Sequence, residues 1–231
     1  MTPRLNICKK NFYIKFIFFI ILSACTEHTP QDQKQVAPYQ KSTDNLFKIL
    51  ILGDSLTEGY GVSETECYPF LLENKLNDNL TEKTGKSFKV INGGISGSTT
   101  SGGVSRINWF LKSNPDFLIL ALGGNDGLRG VPIDEIEKNL GKILSSAKKN
   151  KIPALLTGMK IPPNYGPSYT KSFSNIYKSI AEQYKIPFIP FLLEGVGGNP
   201  KMNLPDKIHP NRDGHKLICE TVYESLEGIL K

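Results

Sequence analysis

Five short apolar runs, each separated from the next by a longer amphipathic stretch, limit how this 231-residue chain can fold. The runs lie at 47–52, 88–91, 116–122, 152–157 and 187–191, and their length and composition suit buried strands. Helical patterns occupy 68–80, 102–112, 134–149, 172–184 and 212–230. In the third of these, Ile136, Leu140, Ile143 and Leu144 recur at three- and four-residue spacing. Strand–helix alternation of this kind predicts a parallel sheet covered on both faces. The economical arrangement is a three-layer α/β/α sandwich around a five-stranded parallel, flavodoxin-like sheet. Ligands of such sheets bind beyond the carboxyl ends of the strands, so chemistry is to be sought in the loops that follow them.

The residues ahead of the first run differ in character. Arg4, Lys9, Lys10 and Lys15 stand there with no acidic residue before Cys25, and an apolar run from Phe16 to Leu22 leads into Ser23-Ala24-Cys25. Basic, then apolar, then small residues mark a secretory signal peptide. Length excludes a spanning helix, because Phe16 to Cys25 is ten residues and a span needs about 20. Leu22-Ser23-Ala24-Cys25 resembles a bacterial lipobox, which implies a signal peptide over 1–24, cleavage before Cys25 and lipidation of its thiol. Residues 25–46 are polar and Gln-rich and read as a flexible tether, leaving 47–231 as one domain. The expected location is the bacterial cell envelope, on the periplasmic face. Thr26 after Cys25, in place of Asp, points to the outer membrane where there is one.

Cleavage also disposes of a false lead. The whole chain carries a formal charge of +6, but removing the leader leaves 24 basic against 22 acidic residues. Nucleic-acid binding loses its support, and a monomer bound to no nucleic acid is expected.

Three post-strand loops carry candidate chemistry. Gly53-Asp54-Ser55 follows the first run, where Ser55 is placed either to cap a helix or to act as a nucleophile. Asn92-Gly93-Gly94-Ile95-Ser96-Gly97 follows the second, either as a tight turn or as backbone N–H groups aimed at a ligand. Gly123-Gly124-Asn125-Asp126 follows the third. Its Asn125 carboxamide is an uncharged donor suited to an oxyanion, and Asp126 reads as the cap of the next element. Further on stands Pro205-Asp206-Lys207-Ile208-His209-Pro210. His209 lies three residues after Asp206, close enough for the carboxylate to accept from one ring nitrogen and leave the other free as a base. A helix cap beside a structural histidine is the alternative. His215 reads as a surface or partly buried residue of the last helix. No cysteine pair or second placed histidine accompanies His209, so no metal site is expected there. Cys67 and Cys219 are expected to be buried free thiols.

The four elements together resemble the SGNH (GDSL) hydrolase family, and within it the bacterial thioesterase/lysophospholipase/arylesterase group. The matching runs are ILGDSLTEGYG, NGGISGSTTSGG, LGGNDGLRG, Pro163-Asn164-Tyr165-Gly166 and IHPNRDG, spread over essentially the whole domain. The resemblance implies the SGNH hydrolase fold and a Ser55–His209–Asp206 triad. It also implies an oxyanion hole formed by the Ser55 and Gly97 N–H groups and the Asn125 side chain. Gly94 is the other candidate glycine, and the Ile-Ser-Gly alignment favours Gly97. The activity it implies is hydrolysis of acyl esters or thioesters through an acyl-enzyme, with no metal or organic cofactor. A carbohydrate O-deacetylase using the same apparatus, or a non-catalytic binding module, are the alternatives. Leu128 and Arg129, set between Gly127 and Gly130, are expected to form a mobile wall of the acyl pocket. Pro163 and Tyr165 are a second wall or merely a rigid connection.

Overall fold

The computed structural model describes residues 45–230. The expected signal peptide over 1–24, the expected lipidation site Cys25 and nearly all of the expected tether lie outside them. Inside the sheet, next to its β2 edge, is β1 (Leu46–Gly53), whose Ile49, Leu50, Ile51 and Leu52 are wholly buried. It is flanked by β2 (Ser87–Gly94) and β3 (Phe117–Ala121), with β4 (Ala154–Thr157) and β5 (Phe188–Ile189) extending the β3 side. All four pairings are parallel, and the order is β2-β1-β3-β4-β5, the flavodoxin-like one. β1 begins at Leu46, paired with Ser87, one residue inside the expected tether.

The helices are α1 (Ser55–Glu58), α2 (Tyr68–Thr84), α3 (Thr100–Phe110), α4 (Gly124–Leu128), α5 (Ile133–Lys149), α6 (Pro167–Tyr184) and α7 (Arg212–Leu230). They divide into two packed groups, α2 with α7 and α3 with α5 and α6, which sandwich the sheet. Helix α5 illustrates why these segments are helical. Ile136, Leu140, Ile143, Leu144 and Ala147 form its buried stripe, while Asp134 and Glu135 open it and Lys148 and Lys149 close it, complementing the helix dipole. Asn211 caps α7 by accepting from the N–H groups of Asp213 and Gly214 at 3.0 and 3.1 Å.

Two expectations are corrected. Helix α6 starts at Pro167, five residues before the periodic stretch, because proline lacks a donor that the first turn would leave unpaired anyway. His215 is fully buried, not at the surface. Its Nδ1 accepts from the Tyr68 N–H at the start of α2 (3.2 Å), its ring stacks on that of Tyr68, and burial lowers its pKa to about 4. Cys67 and Cys219 are buried free thiols, and burial pushes the Cys219 thiol up to about 12.

Candidate active site

The chain order reverses between β2 and β3, on either side of β1, and the loops leaving these strands diverge over a crevice. Asp54, Ser55 and α1 sit on the end of β1. The Asp54 carboxylate caps α1, Oδ1 accepting from the Leu56 N–H at 3.0 Å, and so sets the turn that presents Ser55. Ser55 therefore follows the cap and does not supply it. Its Oγ lies 3.0 Å from Nε2 of His209, and Nδ1 of the same ring lies 2.7 Å from Oδ2 of Asp206.

The short segment before α7 achieves this geometry locally. Lys207 takes a left-handed conformation (φ 62°), and its N–H donates to the Leu204 carbonyl at 2.9 Å. The turn brings the Ile208 and His209 N–H groups onto Oδ1 of Asp206 at 2.9 and 3.0 Å. Those two backbone donors, together with the imidazole, depress the Asp206 pKa to about 2. The carboxylate is thus ionised and aligned on Nδ1 of His209, which leaves Nε2 of the ring facing Ser55. Tyr60, on the loop after α1, covers the imidazole with ring centroids 4.5 Å apart.

Across the crevice, Asn125 lies in α4 and its Nδ2 donates to the Ser98 carbonyl at 3.1 Å. Gly97 has φ 72°, and the N–H groups of Ser55 and Gly97 donate to no acceptor among the described residues. Gly94 is a different kind of glycine. A Cβ there would lie 2.1 Å from the Glu58 nitrogen, and its own N–H already donates to Asn92 Oδ1 at 2.9 Å. It lets α1 pack on the end of β2, whereas Gly97 stands at the crevice with its donor unused. Glu58 ties the same loop to α1 by accepting from the Ser96 N–H at 2.8 Å.

A cavity of about 430 Å³ adjoins Asn125 and Asp54. Its apolar lining includes Leu56, Met159, Ile161, Phe191, Leu193 and Ile208. Of the four expected wall residues, Leu128 and Pro163 line it. Arg129 and Tyr165 do not: Arg129 donates to the Gly97 carbonyl at 3.1 Å, and the Tyr165 hydroxyl donates to the Leu128 carbonyl at 2.9 Å. They brace the wall from outside. The segment expected as a loop at Leu128 is helix α4, with Gly127 buried against Ile161 and Phe173. Asp126 does not cap the element that follows it. Buried, it accepts from the N–H and hydroxyl of Thr100 at 2.9 and 2.6 Å, so it holds the start of the preceding α3.

Sequence reasoning missed the part of the wall from Phe191 to Ile208, because that segment is irregular and carries no periodicity. It also passed over Asp54, although the residue adjoins Ser55, and Arg106. The latter donates from α3 to the Ser98 hydroxyl and to the Gly53 and Gly93 carbonyls. Among the described residues no cluster of three or more His, Cys, Asp or Glu is placed to hold a metal.

A parallel sheet whose switch point gathers a serine, an imidazole with a carboxylate behind it, and an asparagine carboxamide beside an apolar cavity defines a carboxylic ester hydrolase of the SGNH type. The chain belongs to the GDSL-like lipase/acylhydrolase family, whose model matches residues 51–217. It is 36% identical over 183 residues to Esterase TesA of Pseudomonas aeruginosa, covering 79% of this chain and 89% of that protein. It is 38% identical over 183 residues to the Thioesterase 1/protease 1/lysophospholipase L1 of Escherichia coli, covering 79% and 84%. Among solved structures, TesA superposes with a TM-score of 0.74 at 36% identity, covering 79% of this chain and 99% of that one. The psychrotrophic esterase EstA from Pseudoalteromonas sp., inhibited by monoethylphosphonate, superposes with a TM-score of 0.73 at 32% identity, covering 81% and 99%.

Proposed function

We propose that the chain hydrolyses medium-length acyl esters and thioesters, lysophospholipids among them, by nucleophilic attack of Ser55. The observation that carries this reading is the 3.0 Å contact between His209 Nε2 and Ser55 Oγ, with Asp206 behind the ring. His209 takes the Ser55 proton as Oγ attacks the acyl carbon, and Asp206 stabilises the imidazolium. The tetrahedral oxyanion is held by the N–H groups of Ser55 and Gly97 and the carboxamide of Asn125, each such donor lowering the barrier by about 2.7–4 kcal/mol. The imidazolium protonates the leaving alcohol or thiol. Water, deprotonated by the same ring, then releases the acid from the acyl-enzyme. The apolar cavity favours this reading over acetyl transfer alone, since its volume lies within the roughly 300–1,000 Å³ of ordinary ligand pockets.

Two measurements test it. A fluorophosphonate probe is expected to label the wild-type chain and not Ser55→Ala, and labelling of both would sink the assignment. In a series of p-nitrophenyl esters, turnover is expected to rise from acetate to medium chain lengths. A maximum at acetate, with no activity beyond it, would instead mark a deacetylase.

For location, we read residues 1–24 as a lipoprotein signal peptide and Cys25 as the lipidated residue that ties the domain to the envelope membrane. The motif at 22–25 supports this. Cys25→Ser is expected to move the protein from the membrane to the soluble fraction, and its retention on the membrane would refute the anchor.

A further inference from the structure

Asn125 can serve an oxyanion only if its nitrogen, and not its oxygen, faces the crevice. A primary amide is two-sided, with donors at one end and an acceptor at the other, and a half-turn exchanges them. Nothing in Asn125 itself selects the end. Two acceptors outside it do so: the Ser98 carbonyl at 3.1 Å and Oδ2 of Asp54 at 3.4 Å from Nδ2. A flipped amide would set its oxygen against a carbonyl and a carboxyl group at once.

The two acceptors differ in kind. Ser98 is held from α3 by Arg106, which donates to its hydroxyl and to the ends of β1 and β2. Asp54 is 3% exposed, with Oδ1 engaged by the Leu56 N–H and Oδ2 directed across the cavity wall. The Arg106 guanidinium from α3 and the titratable His209 ring from the segment before α7 are the groups that bear on it. At 3.4 Å its contact with Asn125 is long for an N–H···O bond and is the easier of the two to release. One Asn125 proton thus stays on Ser98 while the other is free to turn to a substrate oxygen.

We propose that Asp54 is a positioning residue that orients the Asn125 carboxamide, linking the cap of the nucleophile's helix to the far side of the oxyanion hole. This rests on the oxyanion-hole reading above. Asp54→Asn keeps an acceptor for the Leu56 N–H but turns a donor towards Asn125, so residue 54 then opposes the productive orientation and the Ser98 carbonyl alone supports it.

The test is a double-variant cycle in the full chain, with p-nitrophenyl butyrate as substrate and melting curves recorded alongside. Asp54→Asn is expected to lower kcat roughly 10- to 100-fold with KM within about threefold, and Asn125→Ala to lower kcat roughly 10²- to 10³-fold. The combined variant is expected to fall within about twofold of Asn125→Ala alone, because the two residues act through one donor. Should Asp54→Asn fail to fold, Asp54→Ser, which keeps a capping oxygen but does not reach Asn125, carries the same expectation. Wild-type kcat in an Asp54 variant, or losses that multiply in full, would overturn the proposal. An unchanged kcat in Asn125→Ala would instead refute the oxyanion hole on which it rests.

Discussion

His209 and Ser55 stand 154 positions apart in the chain, yet their side chains meet at 3.0 Å. The nucleophile is carried on the first strand's end and the base on the segment before the last helix, so only the assembled fold brings them together. Asp206, three residues from His209, needs no such assembly because one turn suffices. This division sets the first prediction. Asp206→Asn removes the charge and lets the imidazole adopt the wrong tautomer. Turnover at pH 7 is expected to fall by about 10³- to 10⁴-fold with little change in melting temperature. Steady-state rates beside calorimetry check this, and a loss of under tenfold would count against the aligning role of Asp206.

Stability below neutral pH is expected to reflect two opposed buried groups. Desolvation raises Asp54 from 3.8 to about 6, so folding favours its protonated form, and its contribution declines as pH rises from about 4 to 6. Burial lowers His215 from 6.5 to about 4, so folding favours the neutral ring, and that contribution declines as pH falls from about 6.5 to 4. Each shift corresponds to about 3 kcal/mol, with opposite sign. Denaturant unfolding of the wild type is therefore expected to be nearly flat between pH 4 and 6.5. Asp54→Asn is expected to uncover a rise with pH in that window, and to be the more stable protein at pH 7. If its profile stays flat, the account of Asp54 burial fails.

The two glycines of the second loop are expected to respond differently. Alanine at Gly94 would press on the Glu58 backbone, which has no rotamer to yield, so at least 3 kcal/mol or the fold itself is expected to be lost. Alanine at Gly97 faces only the Arg129 guanidinium, 3.5 Å from the added Cβ, and its left-handed backbone costs about 1–2 kcal/mol. Expression yield and chemical denaturation of the pair distinguish them, and equal losses would show that the close approach at Gly94 is not limiting.

Acyl length is expected to follow the cavity lining. Met159 lines it, with Cε beside Gly124 next to Asn125. Met159→Trp removes room for about two methylenes, each worth about 0.8 kcal/mol, so octanoate is expected to lose roughly tenfold in kcat/KM relative to butyrate. An unchanged ratio of the two p-nitrophenyl esters would place the acyl chain elsewhere.

Much of this protein was legible in the order of its residues. Runs such as 49–52 and 117–122 are apolar throughout, as suits strands covered on both faces, and the stripe Ile136–Leu140–Ile143–Leu144 has the period of a helix lying on a sheet. Asp206 and His209 were readable for the same reason, since their interaction is local. What the tertiary structure alone decided depends on distant segments meeting. It set the two acceptors around Asn125, the burial of His215 beneath Tyr68 and the hold of Asp126 on Thr100. It also set the wall built from Phe191 to Ile208. Periodicity records which face of an element is buried, but not which partner it will be buried against.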